Sequence, residues 1–237
     1  MKPALLLLPN LLGEHRHHEV FLPQSVDKTV ATIDGLIAES EKSGRRFLSR
    51  FETKKPTSQI PIALYNEHTP DADIDFFLEP IQQGERWGVI SDCGLPCLAD
   101  PGAKLVSRAY QLGITVQAFV GPSSIFLAIM LSGLPGQSFS FHGYLEKKPE
   151  KFRKSLLRLE DESKKHKMTQ VFMERPYYNR QALEMILDTL DDETMLCVAW
   201  ELTTPNQGVL TQPVKFWKKS PLPNLDKKPA LFLLSVR

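Results

Sequence analysis

Short apolar runs recur along this chain with helix-patterned stretches between them, and that alternation restricts the possible folds more than any other feature. Up to residue 120 the order is regular. Strand-like runs at 4–8, 35–39, 61–65, 87–91 and 115–120 alternate with helical patterns at 26–33, 42–51, 73–82 and 101–112. Ser25 is placed to cap the first helix, and Pro101 to occupy the first turn of the fourth, where a missing N–H is no loss. Strands separated by helices of this length predict a parallel sheet joined by crossover helices.

Beyond residue 120 the pattern changes. "VGPSSIFLAIMLSGLP" reads as a helix that closes near Gly133-Leu134-Pro135. Residues 138–144 then alternate as "SFSFHGY", the period-two signature of a strand with two different faces. Four more strand candidates follow at 169–173, 195–200, 209–214 and 230–236, with only two further helices, at 150–163 and 180–190. A strand-rich half with few crossovers predicts a mixed sheet. The expected fold class is therefore α/β in two domains, 1–120 with a mainly parallel sheet and 121–237 with a mixed one. A chain of 237 residues is long enough for both.

Composition excludes several classes. There is no run of eighteen apolar residues, so no membrane-spanning helix is expected. The leucines at 5–8 follow a single lysine and end in Pro-Asn without a small-residue cleavage site, so they read as a buried strand and not a secretory signal. Three cysteines, an odd number, fit a reducing compartment, and a cytoplasmic location is expected. Cys93 and Cys97 have no second pair to complete a metal site, and the His15–His18 run has no ligand companions, so no metal is expected. Neither G-x-x-x-x-G-K-[ST] nor G-x-G-x-x-G is present. The segment Lys147 to Lys167 holds nine Lys or Arg residues; it reads as a solvated helix face or a surface used by a partner.

The informative loops follow strands one, four and five: "LLPNLLGE", "SDCGLPCLADPG" and "VGPSS". Ligands of open parallel sheets bind beyond the carboxyl ends of the strands. Prolines stiffen these bends and glycines allow close approach, so such loops would grip a small molecule through main-chain groups. Reactive side chains are few. Glu201 ends an apolar strand, and His142 lies in the alternating one.

These segments together resemble the tetrapyrrole methylase superfamily, and within it the branch of bacterial small-subunit ribosomal RNA 2′-O-methyltransferases and their uncharacterised relatives. "SDCGLPCLADPGAKLV" is similar to that branch's Ser-Asp-Ala-Gly-Thr-Pro-x-x-Ser-Asp-Pro-Gly pattern, and "VGPSSIFLAIMLSGLP" to its Pro-Gly-Pro-Ser segment with the Ser-Gly-Leu-Pro that follows. "FSFHGYLEKK", "AESEKSGRRFL" and "WELTT" resemble three more of its elements, in the same order along the chain. The resemblance implies an S-adenosylmethionine-dependent methyltransferase, a homodimer of two-domain chains with the donor held in a cleft between the domains. It implies donor contacts at Pro9, Gly94, Leu95, Leu98, Ser124, Ile125, Glu201, Leu202, Pro229 and Ala230. Glu39 and Glu201 become the candidate catalytic bases, and Arg45, Arg46 and His142 the candidate acceptor contacts. The implied acceptor is a ribose 2′-hydroxyl of ribosomal RNA, within the small subunit; a tetrapyrrole or other small molecule, or a donor-binding regulatory protein without catalysis, are the alternatives. Ser40 stands where the branch has aspartate and Thr204 where it has lysine, so donor-side features are better kept than acceptor-side ones.

Overall fold

In the computed structural model, which describes residues 2–15 and 17–236, the chain divides into two compact units, Met1–Ser123 and Ser124–Arg237. The first follows the expected alternation. Its elements are β1 (Ala4–Leu7), α1 (Gln24–Val30), β2 (Gly35–Ala38), α2 (Glu41–Leu48), β3 (Ile62–Leu64), α3 (Ile74–Gln82), β4 (Arg86–Val89), α4 (Ala103–Gln111) and β5 (Val116–Ala118). All pairings are parallel, in the order β3-β2-β4-β1-β5. Leu6, Leu36 and Ile90 pack on one side with Val26, Phe47 and Leu48, and Leu5, Ile37 and Val89 on the other with Phe77, Leu78 and Leu105. Two covered faces explain why these strands read as continuous apolar runs.

Two helix starts differ from expectation. Pro23, not Ser25, is the cap residue of α1, because its extended backbone (φ −71°, ψ 151°) ends the preceding segment and leaves Ser25 inside the first turn. At α4 the cap is Gly102 at φ 145°, a conformation open to glycine, so Pro101 stays outside the helix. Ser40 caps α2 by accepting the Ser43 N–H at 3.2 Å.

The second unit begins with α5 (Ser124–Ser132). It continues through β6 (Phe139–Tyr144), α6 (Pro149–His166), β7 (Thr169–Met173), α7 (Asn179–Thr189), β8 (Met195–Trp200), β9 (Gly208–Pro213), α8 (Val214–Trp217) and β10 (Ala230–Ser235). Its sheet, β6-β7-β10-β8-β9, is mixed as expected: β6 and β7 run parallel, and β10 lies antiparallel to both neighbours. Every residue of β10 is buried, consistent with its central place. The strand expected at 209–214 is β9, and the short α8 follows it directly. Its Trp217 is fully buried and donates Nε1–H to the Leu196 carbonyl at 3.0 Å, so a buried indole with its polar edge satisfied anchors this single turn to β8. Among the described residues no helix is long and apolar enough to cross a membrane.

Candidate functional site

Strands β4, β1 and β5 are neighbours, so the three proline-containing loops leave one edge of the parallel sheet side by side. They touch closely. A Cβ added at Gly121 would lie 2.0 Å from Pro9 Cβ and 3.5 Å from a Leu95 methyl; one at Gly94 would lie 3.2 Å from Leu12. Three expected donor contacts, Pro9, Gly94 and Leu95, thus come together, while Leu98 lies further along the loop and stays exposed. The loop after β4 is tightly bent: Gly94, Cys97, Ala99 and Gly102 all have positive φ, two of them non-glycine.

One residue that the sequence reading passed over ties these loops together. Asn10, 2% exposed, donates Nδ2–H to the carbonyls of Ser91 and Asp92, both at 3.0 Å. Its own N–H donates to the Gly94 carbonyl at 2.8 Å. Its Oδ1 accepts from the Leu11 N–H at 2.9 Å and from the Arg50 guanidinium at 3.0 Å. A buried amide with its donors and acceptor engaged sets loop geometry strongly, because each unmade bond would leave a desolvated partner. The only sequence signal was a small polar residue directly after a strand-ending proline.

Carboxylates cluster on the same edge. Glu39, just after β2, accepts the Asp92 N–H at 3.1 Å, and burial, reinforced by the charges of Asp92 and Glu67, pushes its titration up. Asp100, another residue the reading did not single out as a site, is raised to about 6, first by burial and then by the Glu39 charge, against a hydrogen bond from Ser91. Burial, with Asp100 next in importance, also holds the Cys97 thiol up at about 11, so it is no thiolate nucleophile at neutral pH. Arg45, expected to contact the acceptor, is engaged within its own unit: it donates to Glu41 at 2.8 Å and to the carbonyls of Thr57 and Ile60 at 2.7 and 2.8 Å. Arg46 is exposed, 3.3 Å from Glu14. Arg16, within the histidine run 15–18, lies outside the described residues.

In the second unit the remaining expected residues also gather. Ile125 and Leu202 share one buried cluster with Ala199 and Leu231, so they could meet a ligand only through their main chains. The Glu201 N–H donates to the Pro229 carbonyl at 3.0 Å, and Ala230 pairs with Trp200 across the β8–β10 ladder. Glu201 and Thr203 both sit at positive φ, an uncommon state for a non-glycine residue and costly for β-branched Thr203. The turn is held by Thr204, whose N–H and hydroxyl both donate to the Glu201 carbonyl, at 3.0 and 2.8 Å. Lys228 Nζ is 3.1 Å from Glu201 Oε2, close enough for an ion pair though not aligned as a hydrogen bond. Pro229 itself is exposed, and Ser124 is half-buried at the start of α5. His142 is committed sideways, its Nε2 2.6 Å from Oε1 of the fully buried Gln170.

Comparison with known proteins gives this arrangement a context. A sequence profile of the tetrapyrrole (corrin/porphyrin) methylases matches residues 19–215. The Thermotoga maritima protein named Ribosomal RNA small subunit methyltransferase I is 31% identical over 200 residues, 82% of this chain and 85% of that one. The Vibrio cholerae protein of the same name is 26% identical over 212 residues, 90% of this chain and 69% of that one. The crystal structure of the methyltransferase CobJ superposes with a TM-score of 0.65 at 16% identity, covering 98% of this chain and 93% of that one. With the profile spanning most of its length, the chain belongs to the tetrapyrrole (corrin/porphyrin) methylase family.

Proposed function

We propose that this methyltransferase uses S-adenosylmethionine to methylate a ribose 2′-hydroxyl of small-subunit ribosomal RNA. The observation that carries the reading is the likeness to relatives of that name over four fifths of the chain, in a protein whose strand-end loops keep a close-packed, main-chain-lined frame. The donor supplies a methyl group on a cationic sulfur. The residues present fit such a ligand: Gly94 and Gly121 let main chain come close, and Glu39, Asp92 and Asp100 make the edge attractive to a cation. Pro9, Gly94, Leu95 and Leu98 in the first unit, and Ser124, Ile125, Glu201, Leu202, Pro229 and Ala230 in the second, are the donor-holding positions in this reading.

Displacement at a sulfonium needs alignment more than leaving-group help, so the protein's part is to hold the acceptor in line and keep water out. As the 2′-oxygen bonds, its proton must go to a base that is ionised at working pH and not far below it in basicity. Asp100, raised to about 6 first by burial and then by the Glu39 charge, suits that role beside the expected bases Glu39 and Glu201. A homodimer is part of the reading. What supports it is α5, apolar all round, whose outer Phe126, Met130 and Leu131 remain exposed.

The test is incubation of the protein with labelled donor and small ribosomal subunits lacking ribose methylation. A ribose methyl at a defined nucleotide is expected. Donor binding by calorimetry without transfer to these subunits would overturn the ribosomal substrate; no donor binding at millimolar concentration would overturn the donor as well.

A further inference from the structure

We propose that the end of the second unit where β6 and β7 stop is a platform for single-stranded RNA, with an unpaired base seated between Lys147 and Tyr178. The inference rests on the ribosomal RNA reading above and deepens it. Charge is the first observation. The basic segment noted in the sequence becomes α6 and its flanks, and apart from Arg158 in mid-helix, paired with Glu162, and Lys167 at the C-cap, its cations fall into two groups. Lys164, Lys165 and His166 lie in the last turn, where the helix dipole favours positive charge. Lys147, Lys148, Lys151, Arg153 and Lys154 crowd the opposite end, where the dipole disfavours it and Glu150 is the first-turn acid. Of these, only Lys151 has a carboxylate within ion-pair distance among the described residues, Glu146 at 3.9 Å. Helix stability explains the first group and not the second.

The second observation is aromatic. The turn after β7, Pro176–Tyr178, presents Tyr177 at 73% exposure and Tyr178 at 53%. Tyr144, at the paired end of β6, is 48% exposed and carries the Arg175 guanidinium 4.7 Å from its ring centroid. Three tyrosine faces and a flat cation on one sheet end, beside unneutralised lysines, are the elements that stack unpaired bases and follow a phosphate chain.

The third is a cavity of about 170 Å³ shared by the two loops, walled by Lys147, Glu174, Tyr178 and Gln181 over a floor of Phe152 and Met185. That volume is below the roughly 300 Å³ at which pockets for drug-sized ligands begin, and suits one flat ring system. Glu174 is almost wholly buried; its Oε1 accepts the Arg175 N–H at 2.7 Å and lies 3.9 Å from the Arg175 guanidinium. A carboxylate so placed accepts from a base amino group.

The test is fluorescence polarisation of the full chain with a labelled twelve-nucleotide RNA, single-stranded or as a duplex, without donor. Tighter binding of the single strand is expected. Tyr177→Ala with Tyr178→Ala should weaken it by tenfold or more, whereas Tyr178→Phe should bind like the parent, because stacking needs the ring and not the hydroxyl. Lys147→Ala with Lys148→Ala should lower the slope of log affinity against log salt by about 1.4. Donor binding and thermal unfolding of each variant should match the parent's. Equal binding by the double tyrosine variant, or a preference for duplex, would overturn the proposal. So would ribosomal methylation with an unchanged KM in that variant, and this outcome would leave the ribosomal reading standing. Strong, tyrosine-dependent RNA binding without transfer to ribosomal subunits would do the reverse.

Discussion

In the first unit the loop after β4 hangs from one buried amide, Asn10, whereas in the second the loop after β8 closes on a half-buried glutamate–lysine pair that meets at a shielded carboxylate oxygen without a hydrogen bond. Both follow the carboxyl end of a strand, and both hold non-glycine residues at positive φ. They differ in what keeps the strained backbone in place. A buried neutral network is directional, and breaking any part strands its partners without water. A half-buried ion pair is less directional, and is screened in part through its lysine, the more accessible partner. The first loop is therefore held through a side-chain network, and the second mainly through hydrogen bonds to its own backbone, with the ion pair as an addition.

The harshest way to break that comparison is Asn10→Ala. It leaves the Ser91 and Asp92 carbonyls and the Leu11 N–H without their buried partner. A loss of about 3 kcal/mol is expected, a drop of roughly 6–12 °C in the unfolding midpoint. Donor affinity by calorimetry should fall at least tenfold. Unfolding and donor binding like the parent's would show that the loop is held by something else. Next in size is Gly121→Ala, whose methyl would collide with Pro9 at 2.0 Å and push two loops apart. About 2 kcal/mol of stability and a tenfold loss of donor affinity are expected. Gly133→Ala is the control: its Cβ would meet open space, so only the left-handed φ of 67° costs, at about 1 kcal/mol, with donor affinity unchanged.

The parts legible in the sequence were those carried by local pattern. The alternation of residues 4–120 gave the parallel sheet because both faces are covered, so each strand had to be apolar throughout. "SFSFHGY" announced a strand through its period of two. Less legible were features made by distant partners. No helix is expected at 214–217, and α8 is anchored there by Trp217, which donates to the Leu196 carbonyl of β8. Asn10 looked like an ordinary turn residue, since its role depends on carbonyls more than eighty positions away. Arg45 is expected at the acceptor, and the carbonyls that take up its guanidinium lie on a loop with no motif of its own. Asp100 lies in the loop after β4, yet its raised titration comes from burial beside Glu39, which spacing does not reveal.

That carboxyl gives the third expectation. Its pKa is raised from 3.8 to about 6, so in the window between them the folded chain holds a proton that the unfolded chain has lost. Stability contributed by the protonated form is complete below pH 4 and lost as pH rises through 6. Asp100→Asn should then unfold like the parent at pH 3.5. At pH 7.5 it should be more stable by about 1 kcal/mol, the carboxyl being partly solvent-screened. If Asp100 takes the acceptor proton, kcat of the parent rises with pH up to about 6 and levels off, and the variant loses both the rate and that limb. A parent profile flat from pH 5 to 8 would remove it as the base.

The smallest effect is expected at the second loop, and it separates two roles for Glu201. Lys228→Met removes the ion partner while keeping most of the side-chain volume over the loop, so stability should change by less than about 1 kcal/mol, and less still in 0.5 M salt. The Glu201 N–H to Pro229 bond is main chain and survives that change. If the loop serves through its backbone alone, Glu201→Gln should be as mild, with donor affinity unchanged in both variants. If the carboxylate itself meets the donor, Glu201→Gln weakens donor binding several-fold, and Lys228→Met, by freeing the charge, leaves it equal or tighter. A large loss from Lys228→Met would mean that the pair is rigid and desolvated, and the contrast with the Asn10 network would vanish.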